Sequence, residues 1–282
     1  MINQTSTIQK FSSPFPYVKI HNFLDQDFFT QLEKSFPTIN SFKNSSRSVK
    51  RMDFDTTCGD KLYDKLIDEN NFYNLFHEYI YSDEFIEFFL NIFKEDINNE
   101  TKLGFLSEDV KSFEINSKPY EIGGIISKKE INKKIRKFIY PRFDIGVGIE
   151  GYGKNSGGKG IHIDNPQRLI SILFYLGGFN EIEGGEHRIW KKSYNSNLEV
   201  HESIKPEKNL LIAGLQNNLA FHDVNPVVSV EGSRNAFYLA ISCSVSVWKD
   251  VKSNDFNIKY NKNRVKLNIF QKIKKVFFRN IF

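Results

Sequence analysis

The stretch Ile161–Gly178, IHIDNPQRLISILFYLGG, decides the architecture. Its second half, LISILFYL, is an apolar run stopped by Gly177-Gly178. A run this short, with turn residues at its end, reads as a buried strand. Its first half poses a chemical question. His162 and Asp164 stand two apart just where that strand begins. A buried carboxylate beside an imidazole is costly unless something pairs with both.

Working outward, the same texture recurs on either side. Upstream, FIYPRFDIGVGIEGYG alternates, with Phe143, Ile145, Val147 and Ile149 on one face. Downstream, FNEIEGG leads into GGEHRIWKK, and then come NLLIAGL, LAFHDVNPVVSV and NAFYLAISCSVSVW, separated by Gly, Asn and Pro. Many short strands divided by turn signals point to a sandwich or barrel. A double-stranded β-helix, or jelly roll, fits their number and spacing. The N-terminal part is different. Tyr17, Val18 and Ile20 favour a strand, and Asp25 is placed to cap a helix over QDFFTQLEKSF. Residues 60–95 carry apolar side chains at helical spacing, with breaks or caps at Asn70-Asn71 and Ser82-Asp83. Within 97–137, PYEIGGIIS fits a strand and KKEINKKIRK a charged helix or a turn. The fold class expected is mainly β with N-terminal helices, α+β, around a jelly-roll core. Three regions follow: an N-terminal helical and strand layer over 1–137 packed on the core, a jelly-roll core over 138–250, and a basic amphipathic tail over 251–282.

Composition bounds the function. At 282 residues, 40% hydrophobic and 26% charged, the chain has an ordinary globular composition. Its net charge of +5 is uneven. Residues 251–282 carry nine Lys/Arg against Asp255, so the remaining 250 residues sum to −3. That body is not a basic surface of the nucleic-acid-binding kind, and no nucleic acid is expected as a partner. Cys58 and Cys243 offer neither a disulfide framework nor zinc spacing, which points to a reducing, cytoplasmic compartment. The opening MINQTSTIQKF has no apolar signal core, and no stretch reaches membrane-spanning length.

On an extended segment, residues i and i+2 face the same way. His162 and Asp164 therefore make half of a metal site, with Ile163 turned away. A third ligand must come from elsewhere among six histidines. His21 and His77 read as structural or surface residues; His187 and His201 can each be strand residues facing solvent. His222 differs, because it follows a buried run and precedes the turn former Asn225-Pro226. Two His and one carboxylate on one face of a metal form the triad of non-haem Fe(II) oxygenases, which keeps adjacent positions open for a bidentate co-substrate and dioxygen. A 2-oxo acid co-substrate needs an anchor for its far carboxylate, and the planar guanidinium of Arg suits it best. Arg234 shares a strand face with Ala236, Tyr238 and Ala240, and an Arg pointing into a barrel calls for an anionic partner.

These blocks resemble the Fe(II)/2-oxoglutarate-dependent dioxygenases, in their prolyl-4-hydroxylase-like branch. IHIDNP, RLISILFYL, GGEHRIW, FHDVNPV and Arg234 stand in that branch's order, and FPYVKIHNFLDQDFFTQLEKSFP is similar to the opening of many microbial members. The likeness covers roughly residues 14–250, with 97–137 poorly matched. It implies that His162, Asp164 and His222 bind Fe(II) and that Arg234 pairs with the far carboxylate of 2-oxoglutarate. Tyr175 falls where the branch often has a Tyr bonding that same carboxylate; as a plain core aromatic it is equally well explained. Arg234 follows His222 by twelve positions, further than is usual, and a turn at SVEGS is expected to absorb the difference. The implied activity is hydroxylation of a substrate C–H coupled to oxidative decarboxylation of 2-oxoglutarate to succinate, with ascorbate as an auxiliary reductant. Dioxygen and a peptidyl proline or a small molecule are the implied partners. The competing reading is a non-catalytic jelly-roll binding module with a vestigial metal site.

Three further signals carry less. GYGKNSGGKG lacks the ending of a phosphate-binding loop and reads as a connection, or a lid, beside the site. Arg168 either pairs locally or faces the substrate mouth. The tail RVKLNIFQKIKKVFFRNIF has an apolar helical face, which fits docking on the body better than contact with a membrane surface.

Overall fold

The computed structural model describes residues 1–43, 53–55, 61–118, 137–149, 160–194 and 197–249. The expectations for PYEIGGIIS, KKEINKKIRK, the greater part of GYGKNSGGKG, Cys58 and the C-terminal tail lie outside these residues.

Eleven strands and six helices are seen among the described residues. The strands are β1 (Thr7–Phe11), β2 (Tyr17–His21), β3 (Asp53–Asp55), β4 (Glu114–Ile115), β5 (Phe138–Gly148), β6 (Arg168–Gly184), β7 (His187–Lys192), β8 (Leu198–Ile204), β9 (Leu210–Leu215), β10 (His222–Val224) and β11 (Val227–Cys243). The helices are α1 (Gln26–Lys34), α2 (Ile39–Lys43), α3 (Lys61–Glu69), α4 (Asn71–Ile80), α5 (Asp83–Ile92) and α6 (Lys94–Lys102). The caps fall where the sequence places them. Asp25, Asn70 and Ser82 each accept from backbone N–H groups of the first turns of α1, α4 and α5. Such caps satisfy donors that a helix start leaves without partners. α6 extends helical structure past the predicted end, without a side-chain cap.

The large sheet runs β1-β2-β9-β6-β11-β5-β3, with β4 beside β5. All its pairings are antiparallel except β4 with β5. A small antiparallel sheet, β10-β7-β8, faces it. This is the jelly roll expected from the strand spacing.

Period-2 alternation sorts the side chains into two cores. Ile172, Phe174 and Leu176 of β6, with Phe237, Leu239 and Ile241 of β11, meet the helices in one cluster. Leu173 and Tyr175, Ile212, Ala236, and Ile189 and Ile204 from the small sheet form the second, between the sheets. This explains why LISILFYL is apolar throughout: both faces of β6 are covered. Phe237 is the hub of the first cluster, within ring contact of Phe36, Tyr73, Phe76, Phe143 and Phe174. No helix among the described residues is long and apolar enough to cross a membrane.

Candidate metal centre

The segment Ile161–Asn165 is not a regular strand. It makes one isolated antiparallel bridge, His162 with His222, closed by two backbone hydrogen bonds of 3.0 and 2.9 Å. The predicted alternation survives, since Ile163 packs against the helix-side core while Asp164 is buried at the site. The bridge lays the entry to β6 of the large sheet along the edge of β10, the outer strand of the small one. The two imidazoles then lie with centroids 4.5 Å apart.

Asp164 completes the group. Its Oδ1 is 3.9 Å from His162 Nε2, and its Oδ2 is 3.6 Å from His222 Nε2. One ligand atom from each of the three residues lies within 4.8 Å of the others. Both histidines use the same local device: His162 Nδ1 donates to Gly160 O at 2.8 Å and His222 Nδ1 to Ala220 O at 2.9 Å. A carbonyl can only accept, so Nδ1 carries a proton, and in the neutral imidazole Nε2 presents its lone pair to the centre. That is the tautomer a metal needs. Asp164 is held from behind. Arg168 Nη1 lies 2.9 Å from Oδ1, and Ser171 Oγ donates to Oδ2 at 2.5 Å. Burial alone would raise the carboxyl's pKa; Arg168, His222, Ser171 and His162 overcome it and hold the pKa well below the usual carboxylate range. Two imidazole nitrogens and an ionised carboxylate on one side of a shared point fit a divalent transition metal such as Fe(II).

Arg234 is fully buried on β11. Its Nη1 donates to Gly185 O at 3.0 Å and its Nη2 to Tyr238 Oη at 3.0 Å. Tyr175 Oη donates to the same Gly185 carbonyl at 3.1 Å, and its ring lies 5.9 Å from the guanidinium carbon. The Gly184-Gly185 pair has φ of +81° and +75°, and a Cβ on Gly185 would come within 3.1 Å of Arg234 Cδ. The glycines thus permit both the turn between β6 and β7 and the close approach of the arginine. The predicted turn at SVEGS is instead part of β11, where register shifts between Val230 and Asn235 take up the added length. Bulges of this kind bend a strand without ending it.

The structure brings His162, Asp164 and His222 together, and places Arg234 beside Tyr175 on the face that lines the inter-sheet core. Of the two alternatives for Arg168, local pairing is seen, with the candidate ligand Asp164 as its partner. Sequence reasoning missed other neighbours. Ser171, the one serine in the apolar run of β6, was a legible signal. Asp223, beside His222, accepts from Arg188 through two nitrogens and from Trp190 Nε1, tying β10 to β7. His187 corrects the solvent-facing alternative. It points between the sheets, with its ring centroid 5.6 Å from that of His222. Burial first, then His222 and His162, push its pKa down to about 3. His201 is exposed, as expected, and His77 bonds Tyr63 Oη at 2.7 Å in the helical layer.

Residues 147–241 match the model of the 2OG-Fe(II) oxygenase superfamily. The matched stretch includes His162, Asp164, His222 and Arg234. The chain is similar in fold to solved prolyl hydroxylases. One is a prolyl 4-hydroxylase from Phytophthora capsici, at 14% identity and TM-score 0.46, over 85% of this chain and 64% of that one. The chain thus spans less than two thirds of that protein's length. Another is a prolyl hydroxylase from Trichoplax adhaerens in complex with a hypoxia-inducible-factor peptide fragment, at 16% and 0.42, covering 80% and 83%. A third is the viral collagen prolyl hydroxylase of Paramecium bursaria Chlorella virus-1 with 2OG, at 17% and 0.37, covering 84% and 96%. Comparison with curated protein sequences gives no match.

Proposed function

We propose that this protein is an Fe(II)- and 2-oxoglutarate-dependent hydroxylase. The observation that carries the reading is the convergence of His162 Nε2, His222 Nε2 and the Asp164 carboxylate within 4.8 Å of one another, with both Nδ1 protons already committed to carbonyls. In this reading the three residues hold the iron. When bound, iron and 2-oxoglutarate would supply the oxidising chemistry: one atom of dioxygen would enter 2-oxoglutarate as it loses carbon dioxide to give succinate, and the other would pass to a substrate C–H.

The chain's own residues do the positioning. Arg168 and Ser171 keep Asp164 ionised and aimed. The Gly160 and Ala220 carbonyls fix the two imidazoles. Arg234, oriented by Gly185 O and Tyr238 Oη, receives the far carboxylate in a low-dielectric setting where a charge-assisted bond is strong. Tyr175 joins it by exchanging its bond to Gly185 O for one to that carboxylate. The substrate is a peptidyl proline or a small molecule, and ascorbate serves as reductant.

The test is succinate formation by protein loaded with Fe(II) under nitrogen, then given 2-oxoglutarate and ascorbate in air, beside Asp164→Ala. Succinate from the wild type and none from the variant is the expected outcome. No succinate, together with no 2-oxoglutarate binding under nitrogen, would leave a jelly-roll binding module with a vestigial site. Peptidyl proline and free amino acids are the first substrates to screen.

A further inference from the structure

We propose that His187 is a further co-substrate contact, hydrogen-bonding through Nδ1 to an oxygen at the metal-chelating end of the 2-oxo acid. This rests on the 2-oxoglutarate reading above. Three observations carry it. First, His187 Nδ1 is sealed from solvent and has no hydrogen-bond partner among the described residues. An imidazole nitrogen left in that state costs free energy unless a ligand completes it.

Second, the register aims it. His187 stands opposite Val224 of β10 and Ile204 of β8, while Ile189 stands opposite His222. His187 and Ile189 therefore share the face that carries the His222 side chain, and Ile189 and Ile204 belong to the inter-sheet core. Third, the ring bridges the two halves of the site. It lies one ring layer from His222, at 5.6 Å, and two residues beyond Gly185, whose carbonyl pins both Arg234 and Tyr175. A molecule reaching from the triad to Arg234 spans the inter-sheet space that the His187 ring faces, and its iron-binding carboxylate or keto oxygen is the acceptor assigned to Nδ1.

The experiment titrates Fe(II)-loaded full-length protein with 2-oxoglutarate under nitrogen, following the visible charge-transfer band of the chelate. Fe(II) affinity is measured separately without 2-oxoglutarate. His187→Leu removes the nitrogen at similar bulk, and 2-oxoglutarate should bind about ten- to a hundredfold more weakly, the range for a bond to a charged group. His187→Asn sets an amide N–H close to where Nδ1 stands and should recover most of the loss. Fe(II) affinity should be unchanged in both. Equal 2-oxoglutarate affinity in wild type and His187→Leu would overturn the proposal. So would a matching loss of Fe(II) affinity, which makes His187 a support of the metal centre. If His187→Leu does not fold, His187→Asn against His187→Gln decides, since Gln reaches past the Nδ1 position; equal binding by the two overturns it. A wild type that binds Fe(II) yet gives no band refutes the co-substrate reading itself, and this proposal with it.

Discussion

Asp164 is ionised and aimed before any cation arrives, because Arg168 and Ser171 both grip it from behind. Partners of a ligand carboxylate usually tune metal affinity by about ten- to a hundredfold. Ser171→Ala should therefore weaken Fe(II) binding by roughly that factor while leaving the fold intact, as read by metal titration and circular dichroism. Glu100 makes a second case at this scale. It is buried, and its Oε2 accepts from Asn217 Nδ2 at 2.7 Å, in the loop that leads to His222. Burial raises its pKa; Asn217 opposes this and Asp96 adds to it. The folded state thus holds that proton more tightly than the unfolded chain. The stability this lends is full below the unfolded carboxyl value and is lost as pH rises through the folded one. Glu100→Gln should be more stable than wild type at pH 7.5, with the gap closing toward pH 4.5, as urea midpoints would show. The triad itself was legible because a His-x-Asp pair before a buried run is chemically odd. Arg168 was legible only as two alternatives, because an Arg at a strand start has too many ordinary uses. His187 was not legible, since a one-residue change of register would turn it out to solvent.

Among the elements, β11 does the most to shape the site, and it does so by being irregular. It pairs β5 in unbroken register from Arg234 to Cys243, yet against β6 it shifts repeatedly between Val227 and Ala236. Gly232 sits in that stretch at φ +101°, and a Cβ there would meet Gly178 O at 2.2 Å. Gly232→Ala should cost about 1–3 kcal/mol of unfolding free energy. Because Arg234 is two residues on, it should also weaken 2-oxoglutarate binding more than Fe(II) binding; parallel urea and ligand titrations check both. The strands and helix caps could be read in advance since period, capping residues and turn formers are local. SVEGS could not, because a bulge and a turn draw on the same residues, and only the pairing partner separates them.

At the scale of the molecule, the helical layer and the jelly roll share one core, with Phe237 at its centre. Phe237→Ala should cost about 3–5 kcal/mol, and helix and sheet signals should be lost together in one transition. A fragment beginning at residue 138 would bare Phe143, Phe174 and Phe237 and lack β2, the partner of β9. It should aggregate on expression, whereas residues 1–250 should remain in solution. The double hydrogen bond between His162 and His222 has a kinetic consequence as well. It joins the two sheets at the point where the ligands converge, so a bound cation acts as a rivet through that seam. Local opening of the small sheet must expel the ion first. At a free metal concentration a hundred times Kd, mass action slows such opening by about a hundredfold. Amide hydrogens of β7, β8 and β10 should then exchange later on metal loading, while those of β1, at the far edge of the large sheet, keep their apo rates.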